Sequence, residues 1–379
     1  CCASLRFAFD GIDMQCLPRI DAKPGPARRQ YVAKPHQARC HVRRHQRAFD
    51  QQGAAAAHRV QQVAAVGIGL RPAAAQQHRR REVLLQRRLA LRAPPAAAMQ
   101  RTAAEILVER LYWTFQLDKI GDLVTKGASA NLSFRLWKDD DEFCYNFGKD
   151  TAKVIASLEN HVPPRASNSI FLPAKEVLSL HNIILKSRET DKVFGFDDTY
   201  LDLARALRQS GRGGRNYEAF AKSRQDLEAI LGGKVEYDES AGNWQFKEGK
   251  YRFPLGVTAE GVKKIAILDT LLSNRYLDPE SIVFIDELES ALHPAAISKL
   301  LDIVAVLATE GMQFFVASHS YFVVKKLFLI AQEKKMSIPV LAGDAEGWRS
   351  ADLKDGMPDN GIVTEAIQLY QQEVKLSLS

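Results

Sequence analysis

The apolar residues after residue 99 follow the periods of regular secondary structure. Between Thr102 and Leu117 they recur at helical spacing, which predicts an amphipathic helix. Residues 132–136 and 143–147 instead alternate between apolar and polar side chains, on either side of three consecutive aspartates. Alternation interrupted by a polar turn is typical of a β-hairpin. The pattern therefore predicts a β-rich subdomain after the first helix.

The middle of the chain is predicted to be mainly helical. We expect a helical insertion over residues 174–231, interrupted by the Gly/Arg-rich run at 211–215. A meander of three short strands is expected between residues 234 and 253. Gly242 and Gly249 occupy its two turns, where tight hairpins need a positive φ.

One apolar run ends directly in two carboxylates. Residues 282–285 favour β-structure and are all apolar, as is typical of a strand buried on both faces of a parallel sheet. Asp286 and Glu287 follow, at the strand end where open α/β sheets bind ligands. There an Asp can hold Mg²⁺ and a Glu can act as a general base. The alternative is that both acids begin a loop and cap the next helix.

A second strand repeats this arrangement. A helical pattern over residues 295–308 leads to an apolar strand at 313–317 and then to His319. A strand–helix–strand unit of this kind predicts a parallel crossover, which would place His319 at the same sheet edge as Asp286 and Glu287. A histidine there can hydrogen-bond a phosphate oxygen, whereas a histidine after a strand is otherwise often structural.

Composition separates residues 1–98 from the rest of the chain. The 379 residues are 46% hydrophobic and 26% charged, which fits a folded protein. Taken at face value, the formal charge of +7 suggests a nucleic-acid or anionic-membrane partner. Residues 1–98, however, hold 18 basic and five acidic side chains, whereas the remaining residues hold 34 and 40. The body is therefore acidic. No run of about 18 apolar residues occurs, so neither a transmembrane helix nor a membrane partner is expected.

The segment 1–98 is rich in Ala, Arg and Gln, and no hydrophobic period runs through its first 80 residues, so we expect it to be disordered. Three interpretations of this segment compete: a basic arm that binds nucleic acid, a targeting peptide, and a sequence translated out of frame. We favour the third, because GC-rich DNA read out of frame gives this composition. Cys144 is the body's single cysteine, which suits a reducing cytoplasm.

Three segments of the body resemble motifs of one ATPase family. Residues 282–294 resemble the Walker B segment of ABC-type ATPases of the RecF/SMC-like branch, often called AAA family ATPases in bacteria. Residues 314–320 resemble its switch-histidine strand, and residues 257–264 resemble its signature loop. The resemblance implies an α/β fold of the P-loop NTPase type, an ABC ATPase head with a mainly parallel sheet. It would span residues 99–379, with the motif core at 255–341.

The resemblance also implies functional residues around ATP. Asp286 would help to hold Mg²⁺, Glu287 would orient the attacking water, and His319 would sense the γ-phosphate. Such heads form homodimers that enclose two ATP molecules between them, so a homodimer is the implied assembly.

The signature loop would contact the nucleotide of the partner subunit. Ala259, Glu260 and Gly261 would present backbone amides at a helix N-terminus. Ala259 stands where the branch usually has Ser, so Thr258 is the candidate for the missing hydroxyl.

The P-loop that this family needs, Gly-x-x-x-x-Gly-Lys-Ser/Thr, does not occur in the 379 residues. Gly148-Lys149-Asp150 and Gly233-Lys234-Val235 lack the hydroxyl and the preceding glycine. Shifting residues 29–32 and 40–46 by one base permits residues resembling those that flank a P-loop, although the residues between them give no clean Gly-Lys-Ser. Our hypothesis is that residues 1–98 are a frameshifted reading of the P-loop region. The hypothesis fails if no other frame of the gene encodes a P-loop upstream of residue 99.

The sequence thus predicts ATP binding and hydrolysis, weakened where the phosphate-binding loop is missing. Two alternatives stay open. One is a non-catalytic nucleotide-binding or regulatory interaction module that keeps the sheet and the dimer surface. The other is a DNA-associated ATPase, which would need a local basic patch on the acidic body.

Overall fold

The computed structural model describes most of the chain after residue 100 and three short strands before it. The described residues are 6–9, 12–15, 64–68, 101–126, 131–138, 140–209, 218–344 and 347–378. Of residues 1–98, the structure describes only the backbone of those three strands. The prediction that this segment is disordered otherwise lies outside the described residues. The Gly/Arg-rich run at 211–215 lies outside them as well.

Strands dominate the first part of the described chain, and helices alternate with strands after it. The strands are β1 (Arg6–Phe9), β2 (Ile12–Gln15), β3 (Ala64–Ile68), β4 (Leu132–Lys138), β5 (Asp141–Phe147), β6 (Ser157–Asn160), β7 (Ser169–Leu172), β8 (Lys234–Asp238), β9 (Asn243–Glu248), β10 (Tyr251–Pro254), β11 (Ile282–Asp286), β12 (Gln313–Ser318), β13 (Pro339–Asp344) and β14 (Gly347–Asp352). The α-helices are α1 (Ala103–Phe115), α2 (His181–Leu185), α3 (Asp198–Leu207), α4 (Glu218–Leu231), α5 (Glu260–Ser273), α6 (Pro294–Thr309), α7 (Tyr321–Lys334) and α8 (Gly361–Ser377). Shorter helical turns cover Ile120–Leu123, Lys186–Thr190 and Leu255–Val257.

The main sheet has six strands in the order β14-β13-β3-β12-β11-β7. Strand β11 pairs in parallel with β7 on one side and with β12 on the other. Strand β3 runs antiparallel to both β12 and β13, and β14 runs antiparallel to β13. Four of the six strands therefore share one direction, as predicted for a mainly parallel sheet, although three of the five neighbouring pairs are antiparallel.

The β11–α6–β12 unit forms the parallel crossover that the sequence predicts. Its strands are central because they are apolar on both faces: Val283 and Phe314 are completely buried, and Phe284 stacks on Phe315 with ring centroids 4.8 Å apart. Helix α6 begins at Pro294, and the side chain of His293 caps it by accepting from the Ala295 amide at 3.2 Å.

The helices that follow the meander pack into the same core. Leu271 of α5, Leu301 of α6 and Leu327 of α7 are fully buried in the cluster that contains Val283 and Phe314. Helix α7 and strand β14 were not predicted from the pattern. The residues that begin α7, Tyr-Phe-Val-Val, favour strands when considered alone, and packing on this core overrides that preference.

A smaller β-rich unit contains the predicted hairpin and has its own core. Strands β4 and β5 pair antiparallel within a five-stranded sheet of order β1-β2-β4-β5-β6. Leu111 of α1, Ile120 and Phe147 are buried together there. The unit is tied to the helical insertion through the buried Asp198, which binds Arg110 of α1 at 3.1 Å and Arg188 at 2.7 Å.

The predicted meander is present as the three-stranded antiparallel sheet β10-β9-β8. Gly242 and Gly249 have φ values of 66° and 56°, as their predicted turn positions require. Within the described residues, no helix combines the length and the apolar character needed to cross a bilayer.

Asp352, at the end of β14, forms hydrogen bonds with the residues that directly precede β13. Its carboxylate accepts hydrogen bonds from the Ser337 hydroxyl, from the Ile338 amide at 3.0 Å and from the Lys354 amide at 2.8 Å. Burial alone would raise the pKa of Asp352, but these hydrogen bonds outweigh it and lower the pKa. The folded state therefore favours the ionised carboxylate.

We expect Asp352→Asn to reduce the free energy of unfolding at pH 7 by about 1 kcal/mol, because an ionised acceptor is lost from a partly exposed site. Because the folded-state pKa is lowered, this contribution is present above the unfolded-state pKa and disappears as pH falls through the folded-state value. Urea unfolding between pH 2.5 and pH 7 measures the difference between the two proteins. A difference that stays constant over this range would contradict the assignment.

Candidate functional site

The acidic loop, residues 286–292, begins where β11 ends. The amide of Glu287 donates to the carbonyl of Ala317 at 2.9 Å, so the ladder with β12 continues one residue beyond the strand. Glu287 and Ala291 have φ values of 46° and 62°, in the left-handed region that residues other than glycine rarely occupy. Such backbone strain is concentrated at functional sites in proteins.

The structure brings His319 to the same edge as the predicted acidic residues. His319 Nδ1 lies 3.8 Å from Glu287 Oε1 and 3.7 Å from Glu289 Oε1. These separations exceed hydrogen-bond length, and 61% of the imidazole side chain is exposed. The imidazole is therefore next to the carboxylates and accessible to a ligand at this edge.

Glu289 is a member of the site that the sequence analysis missed. Its Oε1 accepts hydrogen bonds from the Ser318 hydroxyl at 2.8 Å and from the His319 amide at 3.2 Å. The side chain is 11% exposed, and Oε2 is buried without a hydrogen-bond partner among the described residues. Glu289 thus ties the acidic loop to the end of β12. The available signal was a third acidic residue in the run Asp-Glu-Leu-Glu.

Lys264 of α5 reaches the same loop from the helix layer. Its ammonium donates to the carbonyl of Glu287 and lies 3.4 Å from the carbonyl of Asp286 and 3.5 Å from that of Ala174. Burial lowers the pKa of Lys264 to about 8, although the carboxylates of Glu289, Asp286 and Glu287 act in the opposite direction. Lys264 lies in the segment that resembles the signature loop, and the sequence pattern alone assigns it no role.

The four residues predicted to contact nucleotide lie at the start of α5. The hydroxyl of Thr258 is buried and has no hydrogen-bond partner among the described residues. Ala259 is the N-cap and offers no side-chain cap, so the first turn of α5 is left without one. The carboxylate of Glu260 pairs with Lys263 at 2.8 Å.

Gly261 brings the N-terminus of α5 into close contact with the far end of the acidic loop. A Cβ at this position would lie 2.6 Å from the carbonyl oxygen of Ala291 and 2.9 Å from Leu292 Cδ2. Glycine is needed here because the helix and the loop approach more closely than a side chain permits. The predicted nucleotide segment and the acidic loop are thus packed together within one chain.

The two Gly-Lys pairs considered above, Gly148-Lys149 and Gly233-Lys234, lie in or at the end of connections between structural elements. A Cβ on Gly121 would lie 2.2 Å from the carbonyl of Lys149, and a Cβ on Gly233 would lie 2.5 Å from the carbonyl of Lys247. Both Gly-Lys segments therefore pack closely against neighbouring backbone. No phosphate-binding loop is found among the residues that the structure describes.

The donor set fits a magnesium ion that arrives with a phosphate. The described residues contain no cluster of three or more His, Cys, Asp or Glu that could hold a metal by themselves. Mg²⁺ is usually held by one or two carboxylates, with phosphate oxygens and water completing its shell. Asp286 and Glu287 at a strand end can supply that carboxylate share.

The sequence matches a family model over residues 135–325, which is half of the chain. The family is described as "AAA domain, putative AbiEii toxin, Type IV TA system". The chain belongs to this family. The matched segment includes β11, the acidic loop, β12 and His319. No curated protein matches the sequence.

Solved structures that align with part of this chain include heads of SMC proteins. An SMC head bound to the C-terminal winged-helix domain of ScpA shares 11% identity and a TM-score of 0.38, covering 66% of this chain and 87% of that one. The Thermotoga maritima SMC head domain shares 14% identity and a TM-score of 0.28, covering 52% and 67%. A Pyrococcus furiosus SMC head with an extended coiled coil, bound to the C-terminal domain of ScpA, shares 10% identity and a TM-score of 0.36, covering 71% and 89%.

The contact at Gly261 can be tested by adding a single methyl group. We expect Gly261→Ala to lower the free energy of unfolding by about 1–3 kcal/mol, because its Cβ would press against backbone that cannot give way easily. Gly256→Ala is the matched control, since a Cβ there meets open space, and it should change stability by less than about 0.5 kcal/mol. Equal stabilities of the two variants in urea unfolding would contradict the close packing.

Proposed function

We propose that this chain binds and hydrolyses ATP as a P-loop ATPase head of the ABC/AAA type and acts as a homodimer. The observation that carries the proposal is the juxtaposition of Asp286, Glu287 and His319 at the carboxyl ends of two parallel strands. Membership of the AAA-domain family supports it. The absence of a Walker A sequence implies that the chain as it stands binds nucleotide weakly and turns it over slowly, because phosphate positioning dominates this chemistry.

Each residue at the edge has a separate task in this proposal. Asp286 would hold Mg²⁺, which when bound neutralises charge on the phosphates. The Glu287 carboxylate is 43% exposed on a fixed backbone, and it would orient a water and accept its proton. The accessible imidazole of His319 would donate a hydrogen bond to the terminal phosphate.

The start of α5 would serve the second subunit of the dimer. The uncapped amides at Ala259, Glu260 and Gly261 suit an anionic phosphate, and the dipole of α5 adds to the attraction. The buried hydroxyl of Thr258 could assist, in place of the serine that the signature loop usually carries. This arrangement requires two copies of the chain.

A DNA-associated role is less well supported by the described surface. Lys234, Lys247 and Arg252 lie directly opposite one another across β8, β9 and β10 and form a basic row. Acidic side chains offset this row: Glu228 pairs with Lys234 at 2.9 Å, and Glu236 lies 3.8 Å from Lys247. If residues 99–379 alone bound DNA in a salt-dependent manner, this result would support the DNA-associated role.

The proposal includes a cytoplasmic location. The alternative to it is a non-catalytic role. Cys144 is the free cysteine of the described residues, which suits a reducing compartment. A non-catalytic interaction module would keep the sheet and the dimer surface without turnover. Hydrolysis measurements separate it from the ATPase.

We expect Glu287→Gln to slow ATP hydrolysis by about 10²–10⁴-fold, because the amide cannot accept a proton from water. ATP binding should remain, because Gln has nearly the same shape. Phosphate release and equilibrium ATP binding are measured in the chain as given and in a version with a restored P-loop, where turnover should be faster.

Glu248→Gln is the control for this test, because it removes an exposed carboxylate on β9, away from the site. It should leave hydrolysis unchanged. ATP binding without turnover in the version with the restored P-loop would favour the non-catalytic module. Equal hydrolysis rates in Glu287→Gln and the unchanged protein would exclude Glu287 as the base.

A further inference from the structure

Lys264 is a cation in the helix layer whose polar contacts are backbone carbonyls. It lies one turn into α5, and its three nitrogen-bound protons face the carbonyls of Glu287, Asp286 and Ala174. An ammonium group has three donors and no acceptor, so it suits a site lined by carbonyls, among which that of Glu287 is nearest. The carbonyls of Asp286 and Glu287 lie at the end of β11, and that of Ala174 follows the neighbouring parallel strand β7.

A simple packing role would not require a charge at this position. Removing an ammonium from water is costly, and a methionine could fill the same volume without that cost. What Lys264 offers instead is a set of donors for carbonyls at the end of β11. The charge also faces the carboxylates of Glu289, Asp286 and Glu287, so both the donors and the charge of Lys264 act on the acidic loop.

The peptide groups of Glu287 are held on both sides. Its amide is bound by the carbonyl of Ala317 on β12, and its carbonyl is bound by Lys264 on α5. Between these two anchors the residue has a φ of 46°, a conformation that needs external support. The carboxylate beyond them stays 43% exposed at the sheet edge.

We infer that Lys264 is a positioning residue for Glu287, which fixes the backbone of Asp286 and Glu287 and thereby aims the Glu287 carboxylate. Its effect on hydrolysis rests on the proposed ATPase function, whereas its effect on the loop does not. Lys264 acts through the carbonyls and not on the nucleotide.

The same residue connects the acidic loop with the start of α5. Gly261 and Lys264 are three positions apart and share one face of the helix. Gly261 contacts the far end of the loop at Ala291, and Lys264 contacts its beginning at Glu287. The N-terminal part of α5 is therefore in direct contact with both ends of the acidic loop.

Hydrogen–deuterium exchange of the full chain tests the anchoring directly. In Lys264→Met, amides of the peptide that covers residues 286–290 should exchange about tenfold faster, because one anchor of the loop is lost. Amides of α6 should keep their rates. Lys326→Met is the matched control, since it removes a partly buried helix lysine that pairs with Asp302 at 2.7 Å, away from the loop. Unchanged exchange at 286–290 in Lys264→Met overturns the inference.

ATP turnover gives the second readout. In the protein with a restored P-loop, Lys264→Met should lower kcat by about 100-fold with little change in KM, because a misplaced base affects chemistry more than binding. Lys264→Arg keeps the charge and the donors and should recover part of kcat. An unchanged kcat with faster exchange would overturn the positioning role.

The two proposals fail in different ways. If the protein with a restored P-loop hydrolyses no ATP, the proposed function fails, and the exchange experiment still decides whether Lys264 anchors the loop. If Lys264→Met does not fold by circular dichroism, Lys264→Gln replaces it, because Gln keeps two donors on a shorter, neutral side chain. Lys264→Gln should then show faster exchange at 286–290, and unchanged exchange would overturn the inference.

Discussion

The parallel pairing of β11 with β12 is the constraint on which the candidate site depends. Two parallel neighbours joined by a helix must end at the same sheet edge, so the residues after each strand meet although they are about thirty positions apart. The alternating burial of β12 fixes this register: Phe314 and Val316 are buried and Phe315 and Ala317 only half-buried, so a one-residue slip would turn Phe314 to the less buried face. The position of His319 beside Glu287 follows from that register.

The sheet edge alone would not hold the acidic loop in one conformation. Four contacts with two neighbouring elements hold the loop. Two involve the end of β12: the Glu287 amide bound to Ala317 and the Glu289 carboxylate bound to Ser318 and His319. Two involve α5: the ammonium of Lys264 and the close approach of Gly261. Each contact acts on backbone or on a buried side chain, and the carboxylate of Glu287 is left exposed. The strain of two left-handed residues is thus balanced by packing around the loop.

The sequence was sufficient to predict features that depend on local periodicity. The buried strands, the crossover and the edge shared by Asp286, Glu287 and His319 follow from apolar runs and chain order. Helix α7 was missed because its first residues favour strands and only the core makes them helical. Glu289 and Lys264 were missed because their partners lie about 20 to 30 positions away in the chain. A local sequence pattern cannot show that a lysine contacts a backbone carbonyl far away in the chain.

Strand β3 occupies the central position beside β12, and its direction has a consequence for phosphate binding. Ala64 lies opposite Ser318, next to the site, whereas Ile68 lies opposite Phe314 near the start of β12. The C-terminal end of β3, at Ile68, therefore lies at the edge opposite to Glu287. A phosphate-binding loop connected to β3 could therefore lie near Asp286 only if it preceded the strand. If β3 ran in the opposite direction, the loop that follows it would lie beside Asp286. The polarity of one strand thus determines whether the sheet can present both halves of a nucleotide site at a single edge.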